Sequence, residues 1–232
     1  MIILALDTTT RAGSAALLRD DRVLVEVSGD PAITHGQRLP AELMRVLEQA
    51  AVGVEDVELF AVAAGPGSFT GLRVGIATIQ GLAMARGRRV VAVSSLEALA
   101  RAGTNARRPV AAWMDAQRGE VFAALYAPDG CDPLIEAQSA PPEVVLDLWR
   151  KAAEVEVDRA VFIGDGAVRY RELIVSRYGD GAQVMATPPL AGLIGEIAAA
   201  NPQRAVLPHA VVPIYIRKPD AELARARRVA AE

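Results

Sequence analysis

The sequence is poor in the residues that most often announce chemistry: one cysteine, two histidines and 4% aromatics in 232 residues. A lone Cys131 can form neither an internal disulfide nor a cysteine-based zinc site, so it is expected as a small apolar filler in a reducing compartment. His35 and His209 stand far apart and read as surface or turn residues, His35 helping to end the third strand. A basic excess is also missing, because 25 Lys and Arg against 28 Asp and Glu give a formal charge of −3. A protein that grips RNA unaided shows such an excess and often stacking aromatics, so direct tight RNA binding is not expected. No stretch approaches about 18 uncharged apolar residues, which excludes a membrane-spanning helix on sequence grounds. The start, MIILALD, is interrupted by Asp7 and has neither a basic flank nor a small-residue cleavage site, so it does not read as a leader. These absences describe a soluble, cytoplasmic chain. No GxSxG elbow or SxxK motif supplies a nucleophile.

What is abundant is Ala, Val and Leu, within an apolar fraction of 52%. Short apolar runs predict strands at 2–7, 13–18 and 22–27, with a tight turn at Arg19-Asp20-Asp21. Leu39, Leu43, Val46, Leu47 and Ala50 recur at helical spacing over about 38–51, with Arg38, Glu42, Arg45, Glu48 and Gln49 on the other face. A strand at 57–63, the loop GPGSFTG (65–71), a helix over about 72–85 and a strand at 89–93 follow. Ser94 and Glu97 have capping-box spacing for the next helix. Arg107-Arg108-Pro109 reads as a boundary, dividing the chain into 1–106 and 107–232. Beyond it the theme repeats: strands at 110–115, 119–126 and 133–137, a helix at 141–152, a strand at 160–163, a helix at 167–177, a strand near 182–186 and a helix at 190–200. Four prolines after 201 predict an irregular tail, whose apolar run 210–216 packs back on the body. Two βββαβα halves correspond to the α/β ribonuclease-H-like pair of the actin and sugar-kinase (ASKHA) superfamily, with mixed five-stranded sheets flanked by helices.

Asp7 ends the first strand before a Thr-rich turn. Superfamily kinases hold phosphate and metal there, whereas an Asp can equally cap the turn with its own side chain. GPGSFTG joins a strand to a helix but lacks the Lys of a P-loop; Leu72-Arg73 stands instead. It reads as a tight loop in which Ser68 or Thr70 caps the helix. Gly164-Asp165-Gly166 is explained by a strand-to-helix turn. Asp115, Arg118 and Glu120 read as solvated hairpin charge, as do the clusters Arg86/Arg88/Arg89, Arg107/Arg108 and Arg225/Arg227/Arg228. Arg73, a cation in a first helical turn, opposes the macrodipole and calls for an anionic neighbour in this chain or across an interface. The helix at about 72–85 is apolar nearly all round, with Ala77, Gly81 and Ala85 every four positions. A helix on one face of a sheet needs a polar outer stripe, so a second surface is expected to cover this one.

The strings LALDTTT (4–10), GPGSFTGLRVGIATIQGLA (65–83), VVAVSSLEALA (90–100), WMDAQRGEVFAALY (113–126), FIGDGA (162–167) and VPIYIRKPDAE (212–222) resemble the TsaB family over essentially the whole chain. The resemblance implies a pseudo-enzyme scaffold for tRNA threonylcarbamoyladenosine formation. It would bind a TsaD-like catalytic subunit through its first-half helices, support a TsaE-like ATPase, form a homodimer when alone, and meet tRNA only through the complex. The related transferase carries a metal-binding histidine pair where Ser95 and Leu99 stand here, so neither a metal nor a nucleotide cofactor is expected on the isolated chain. ATP or ADP would belong to the assembled interface, and Asp7 would mark a degenerate phosphate site. The interface residues expected on this basis are Leu39, Leu43, Arg73, Ile76, Ala77, Gln80, Gly81 and Met84. The alternative is an ATP-binding kinase or ATPase of the same superfamily.

Overall fold

The computed structural model describes residues 1–104, 107–151 and 156–217. Strands β1 (Ile2–Asp7), β2 (Ser14–Arg19) and β3 (Arg22–Ser28) are followed by α1 (His35–Ala50), β4 (Leu59–Gly65), α2 (Phe69–Arg86), β5 (Arg89–Ser94) and α3 (Ser95–Ala102). The same order recurs in β6 (Val110–Asp115), β7 (Val121–Tyr126), β8 (Pro133–Ala140), α4 (Pro142–Lys151), β9 (Val161–Ile163), α5 (Asp165–Arg169), α6 (Arg171–Tyr178), β10 (Gln183–Met185) and α7 (Ala191–Ala200). The two five-stranded sheets run β3-β2-β1-β4-β5 and β8-β7-β6-β9-β10, and so share one topology. In each, the first three strands are antiparallel and the last two join in parallel. The expected α/β architecture of paired mixed sheets is the one the chain adopts.

Alternation along the central strands sorts side chains into separate cores, because successive residues of a strand point to opposite faces. Leu4, Leu6, Phe60 and Val62 point out to α1 and α2. Ile3, Ala5, Ala61 and Ala63 point inward, and Ala112 and Ala124 answer them from the second sheet. Most of these inward residues are alanine, which leaves room for α3 and α7 between the sheets. On the far side Ala111, Trp113, Val121 and Leu125 pack with Trp149 of α4 and Ile174 of α6. The layers are therefore helices, sheet, helices, sheet, helices.

Helix α7 ties the layers together. It follows the second sheet in sequence but packs on strands β1, β2 and β4 of the first. Its open N-terminus is satisfied from that sheet: Leu190 and Ala191 N–H donate to Ser14 Oγ at 3.1 and 2.9 Å, and Gly192 N–H donates to Glu26 Oε1 at 2.8 Å. Orphan N–H groups at a helix start need such acceptors.

The tail forms a strap. Val206 bridges Val90, Gln80 Nε2 donates to the Pro208 and Val211 carbonyls, and Ile214 N–H donates to Ala64 O at 2.7 Å. Arg217 then reaches Glu120 at 3.2 Å. Several local expectations are corrected. The span 167–177 is two helices broken at Tyr170. Cys131 is exposed in a turn, where Arg101 Nη1 lies 2.8 Å from its Sγ; it fills no core. Asp115 and Glu120 are paired, with Arg169 and Arg217, because distant segments fold onto their hairpin. Arg38 is buried: its guanidinium reaches the Ala12 carbonyl and the Glu42 carboxylate, binding α1 to the β1–β2 turn. Arg225, Arg227 and Arg228 lie outside the described residues.

Candidate functional site

The turn after β1 and the start of α2 form one unit. Asp7 is 1% exposed. Its Oδ1 accepts from Thr9 N–H at 2.8 Å and Thr9 Oγ1 at 2.5 Å, and its Oδ2 accepts from Thr10 Oγ1 at 2.8 Å. Both oxygens are thus engaged inside the turn, which is the geometry of an Asp that caps its own loop. Thr8 Oγ1 donates to Gly71 O at 2.8 Å, and Ser68 N–H donates to Thr9 O at 3.1 Å. A Cβ on Gly71 would sit 2.0 Å from Thr8 O, and one on Gly75 2.1 Å from Thr8 Oγ1. The two glycines of the TGLRVG stretch therefore let α2 seat directly on the β1–β2 turn.

Ser68 caps α2, its Oγ accepting from Gly71 N–H at 3.2 Å, and Gly87 closes the helix with φ of 61°. One face, Leu72, Gly75, Ile76, Ile79 and Ala83, is buried against the first sheet. The opposite row runs Phe69, Arg73, Ala77, Gly81 and Ala85, spaced one helical turn apart, and all five are exposed. Met84 beside it is 64% exposed, and nothing lies within 4 Å of the Cβ position of Gly81. The strap borders the row without covering it.

This geometry divides the expected interface residues. Arg73, Ala77, Gly81 and Met84 lie on the outer face, with Gln80 at its border holding the strap. Leu39, Leu43 and Ile76 are corrected: they are 2%, 6% and 5% exposed and are consumed by the chain's own core. Apolar residues at helical spacing mark the face that needs cover, and the sheet supplies it for these three. Arg73 pairs with no carboxylate among the described residues. Its guanidinium lies over the Phe69 ring at 4.0 Å, and its Nε donates to Tyr215 Oη at 3.4 Å. Phe69 and Tyr215, with ring centroids 5.6 Å apart, were not among the expected residues. The i−4 position of Phe69 to Arg73 signals one contact in the sequence; nothing local signals Tyr215.

Other candidates gather less. A cavity of about 300 Å³ lies between the β1–β2 turn and the second half, lined by Thr10, Arg11, Ser28, Asp165, Thr187 and Pro188. Asp165 Oδ1 accepts from the Asp115 and Gly166 N–H groups, and loss of water around the carboxyl pushes its pKa up. Ser95 and Leu99 are fully buried between the sheets. Among the described residues no cluster of three or more His, Cys, Asp or Glu could hold a metal ion, and no helix is long and apolar enough to cross a membrane. His35 Nε2 faces Thr10 O at 3.1 Å, and its Nδ1 faces Arg38 Nη2 at 2.8 Å, so it joins α1 to the turn; His209 is exposed in the strap.

The model of the TsaD family, tRNA N6-adenosine threonylcarbamoyltransferase, matches residues 30–228. The tRNA threonylcarbamoyladenosine biosynthesis protein TsaB of Bacillus subtilis is 31% identical over 234 residues, covering 96% of each chain. TsaB of Escherichia coli is 37% identical over 131 residues, 56% of each chain. Among solved structures, YeaZ from Pseudomonas aeruginosa is 32% identical, with a TM-score of 0.74 over 92% of this chain and 99% of that one. The ethanolamine utilization protein EutJ from Carboxydothermus hydrogenoformans, at 11% identity and a TM-score of 0.50, shares the fold alone. On the whole-length match to its relatives and the match to the family model, the chain belongs to the TsaB proteins of the TsaD-like family.

Proposed function

We propose that this chain is a non-catalytic subunit in the biosynthesis of threonylcarbamoyladenosine in tRNA, and that it docks a TsaD-like catalytic subunit on the outer face of α2. The observation that carries this reading is the bare row Phe69, Arg73, Ala77, Gly81 and Ala85, flanked by Met84. Small side chains at one-turn spacing let a second helix approach closely, and aromatic, Met and Arg side chains are the types enriched at protein interfaces. The non-catalytic part rests on residue chemistry. Leu99 cannot ligate a metal, Ser95 and Leu99 are sealed in the core, and both oxygens of Asp7 are engaged by its own turn. Alone, the chain pairs with a second copy through the same face. A TsaE-like ATPase joins the assembled pair, any ATP or ADP sits at that composite interface, and tRNA reaches this subunit through the complex in the cytoplasm.

The test is co-purification with the catalytic subunit from cytoplasmic extract, together with light scattering of the wild type and Gly81→Arg. Stoichiometric association lost in Gly81→Arg, with an unchanged circular dichroism spectrum, is the expected result. In cells, the same variant should lower threonylcarbamoyladenosine in tRNA digests measured by mass spectrometry. Full modification in a strain lacking this chain would refute the role.

A further inference from the structure

Helix α2 carries charge of one sign. Its 18 residues include Arg73 and Arg86 and no acidic residue, and both arginines are exposed. Neighbouring α1 adds no net field, since its exposed Arg45 and Glu48 offset each other. Arg73 stands in the first turns of α2, where a cation is disfavoured by the helix dipole. It is nevertheless held in place, over the Phe69 ring at 4.0 Å and against Tyr215 Oη at 3.4 Å, a residue supplied by the strap. Phe69 and Tyr215 are themselves 42% and 39% exposed, so the cluster faces outward. A fixed, outward cation with no carboxylate among the described residues leaves its charge to whatever docks beside it.

Two occupants of the face differ in what they bring there. A second copy paired two-fold and antiparallel, crossing between Ala77 and Gly81, sets Arg73 of one copy opposite Ala85 and Arg86 of the other. The pairing is isologous, so this like-charge approach occurs twice. A different partner can instead place a carboxylate opposite Arg73. We infer that Arg73, oriented by Phe69 and Tyr215, is a specificity residue of the docking face, disfavouring self-pairing and selecting a partner helix with an acidic residue opposite it. This rests on the docking reading above and assigns the acidic residue to the catalytic subunit.

The two pairings then respond to salt with opposite sign, because screening removes a repulsion from one and an attraction from the other. Raising ionic strength from about 0.05 to about 0.5 M is expected to weaken the complex with the catalytic subunit on the order of tenfold, while tightening self-association. Arg73→Glu should tighten the self-dimer and weaken the heteromeric complex by about tenfold. Arg73→Gln should flatten the salt dependence of both, and Tyr215→Phe, which removes one hydroxyl, should move each affinity part of the way toward Arg73→Gln. Sedimentation equilibrium reads the first association, calorimetric titration the second, and thermal unfolding confirms that each variant is folded. Salt effects of the same sign, or Arg73→Glu weakening both pairings alike, would overturn the inference. If Gly81→Arg disrupts binding while Arg73→Glu changes nothing, the face stands and the charge selection falls. If Gly81→Arg is also without effect, the docking face falls with it.

Discussion

Helices α2 and α7 are built from the same materials and meet opposite fates. Both are rich in Gly, Ala and Ile, and neither shows a clean polar stripe. Helix α7 is enclosed: Ala191, Gly192, Ile194, Gly195, Ile197 and Ala198 are buried between the sheets, and its first N–H groups are capped from β2 and β3. Helix α2 rests on the outside of the first sheet with Ala77, Gly81 and Ala85 bare. An apolar, small-residue helix signals that two surfaces will cover it. Whether the second surface is the same chain or another molecule depends on which layer the topology puts it in.

The contrast can be broken by paired substitutions. The largest expected difference is between Ile194→Ala and Met84→Ala. Ile194 is fully buried, and its truncation should cost about 2 to 5 kcal/mol in chemical denaturation. Met84 is 64% exposed, and its truncation should stay within about 0.5 kcal/mol. Equal losses would mean that the outer face of α2 is covered within the monomer.

Glycine gives the same contrast with a change of sign. A Cβ on Gly195 would meet the side chain of Leu18 at 2.2 Å, and Leu18 is fully buried and cannot swing clear. Gly195→Ala should therefore destabilise by about 1 to 2 kcal/mol after its gain in helix propensity. Gly81→Ala meets nothing within 4 Å and should stabilise the isolated chain by about 0.5 to 1 kcal/mol. A destabilised Gly81→Ala would show a neighbour on that face.

Caps come next. Ser14→Ala removes the acceptor for Leu190 and Ala191 N–H and should cost about 1 kcal/mol, read as a lower unfolding temperature. The smallest effect is in pH. Loss of water around the carboxyl where Glu26 meets α7 raises its pKa above the ordinary 4.5. The folded state then binds more protons than the unfolded one just above that value, so the Glu26 contribution to stability falls as pH rises through the interval from 4.5 to its raised pKa. Glu26→Gln should flatten that slope in unfolding curves collected across the interval. Helix α2 has no acidic residue and adds no slope of its own there.

Much of this was legible in the sequence. Apolar runs of strand length, turn dipeptides and helical spacing placed the strands and most of the helices, because those signals arise within a few residues. The Ser68 and Ser94 caps were legible for the same reason. The candidate face was half legible. The near absence of polar residues in α2 marked it as needing two covers, but periodicity in an all-apolar helix carries no phase. Ile76 therefore read as interface when the first sheet had already claimed it, and the same sheet claims Leu39 and Leu43 on the single apolar stripe of α1. The Asp7 turn was legible as a cap or a phosphate site, and its engagement by Thr9 and Thr10 could be read only from the folded turn.

The sequence by itself determined the element order, the duplicated α/β plan and the family. Each depends on local pattern or on whole-length likeness. The tertiary structure alone decided that α7 returns to the first sheet, that Ser14 and Glu26 cap it, and that Tyr215 joins Phe69 around Arg73 from 142 positions away. Those contacts join residues with no sequence proximity, and a charge or an apolar face acquires its meaning only when the chain has placed, or failed to place, something opposite it.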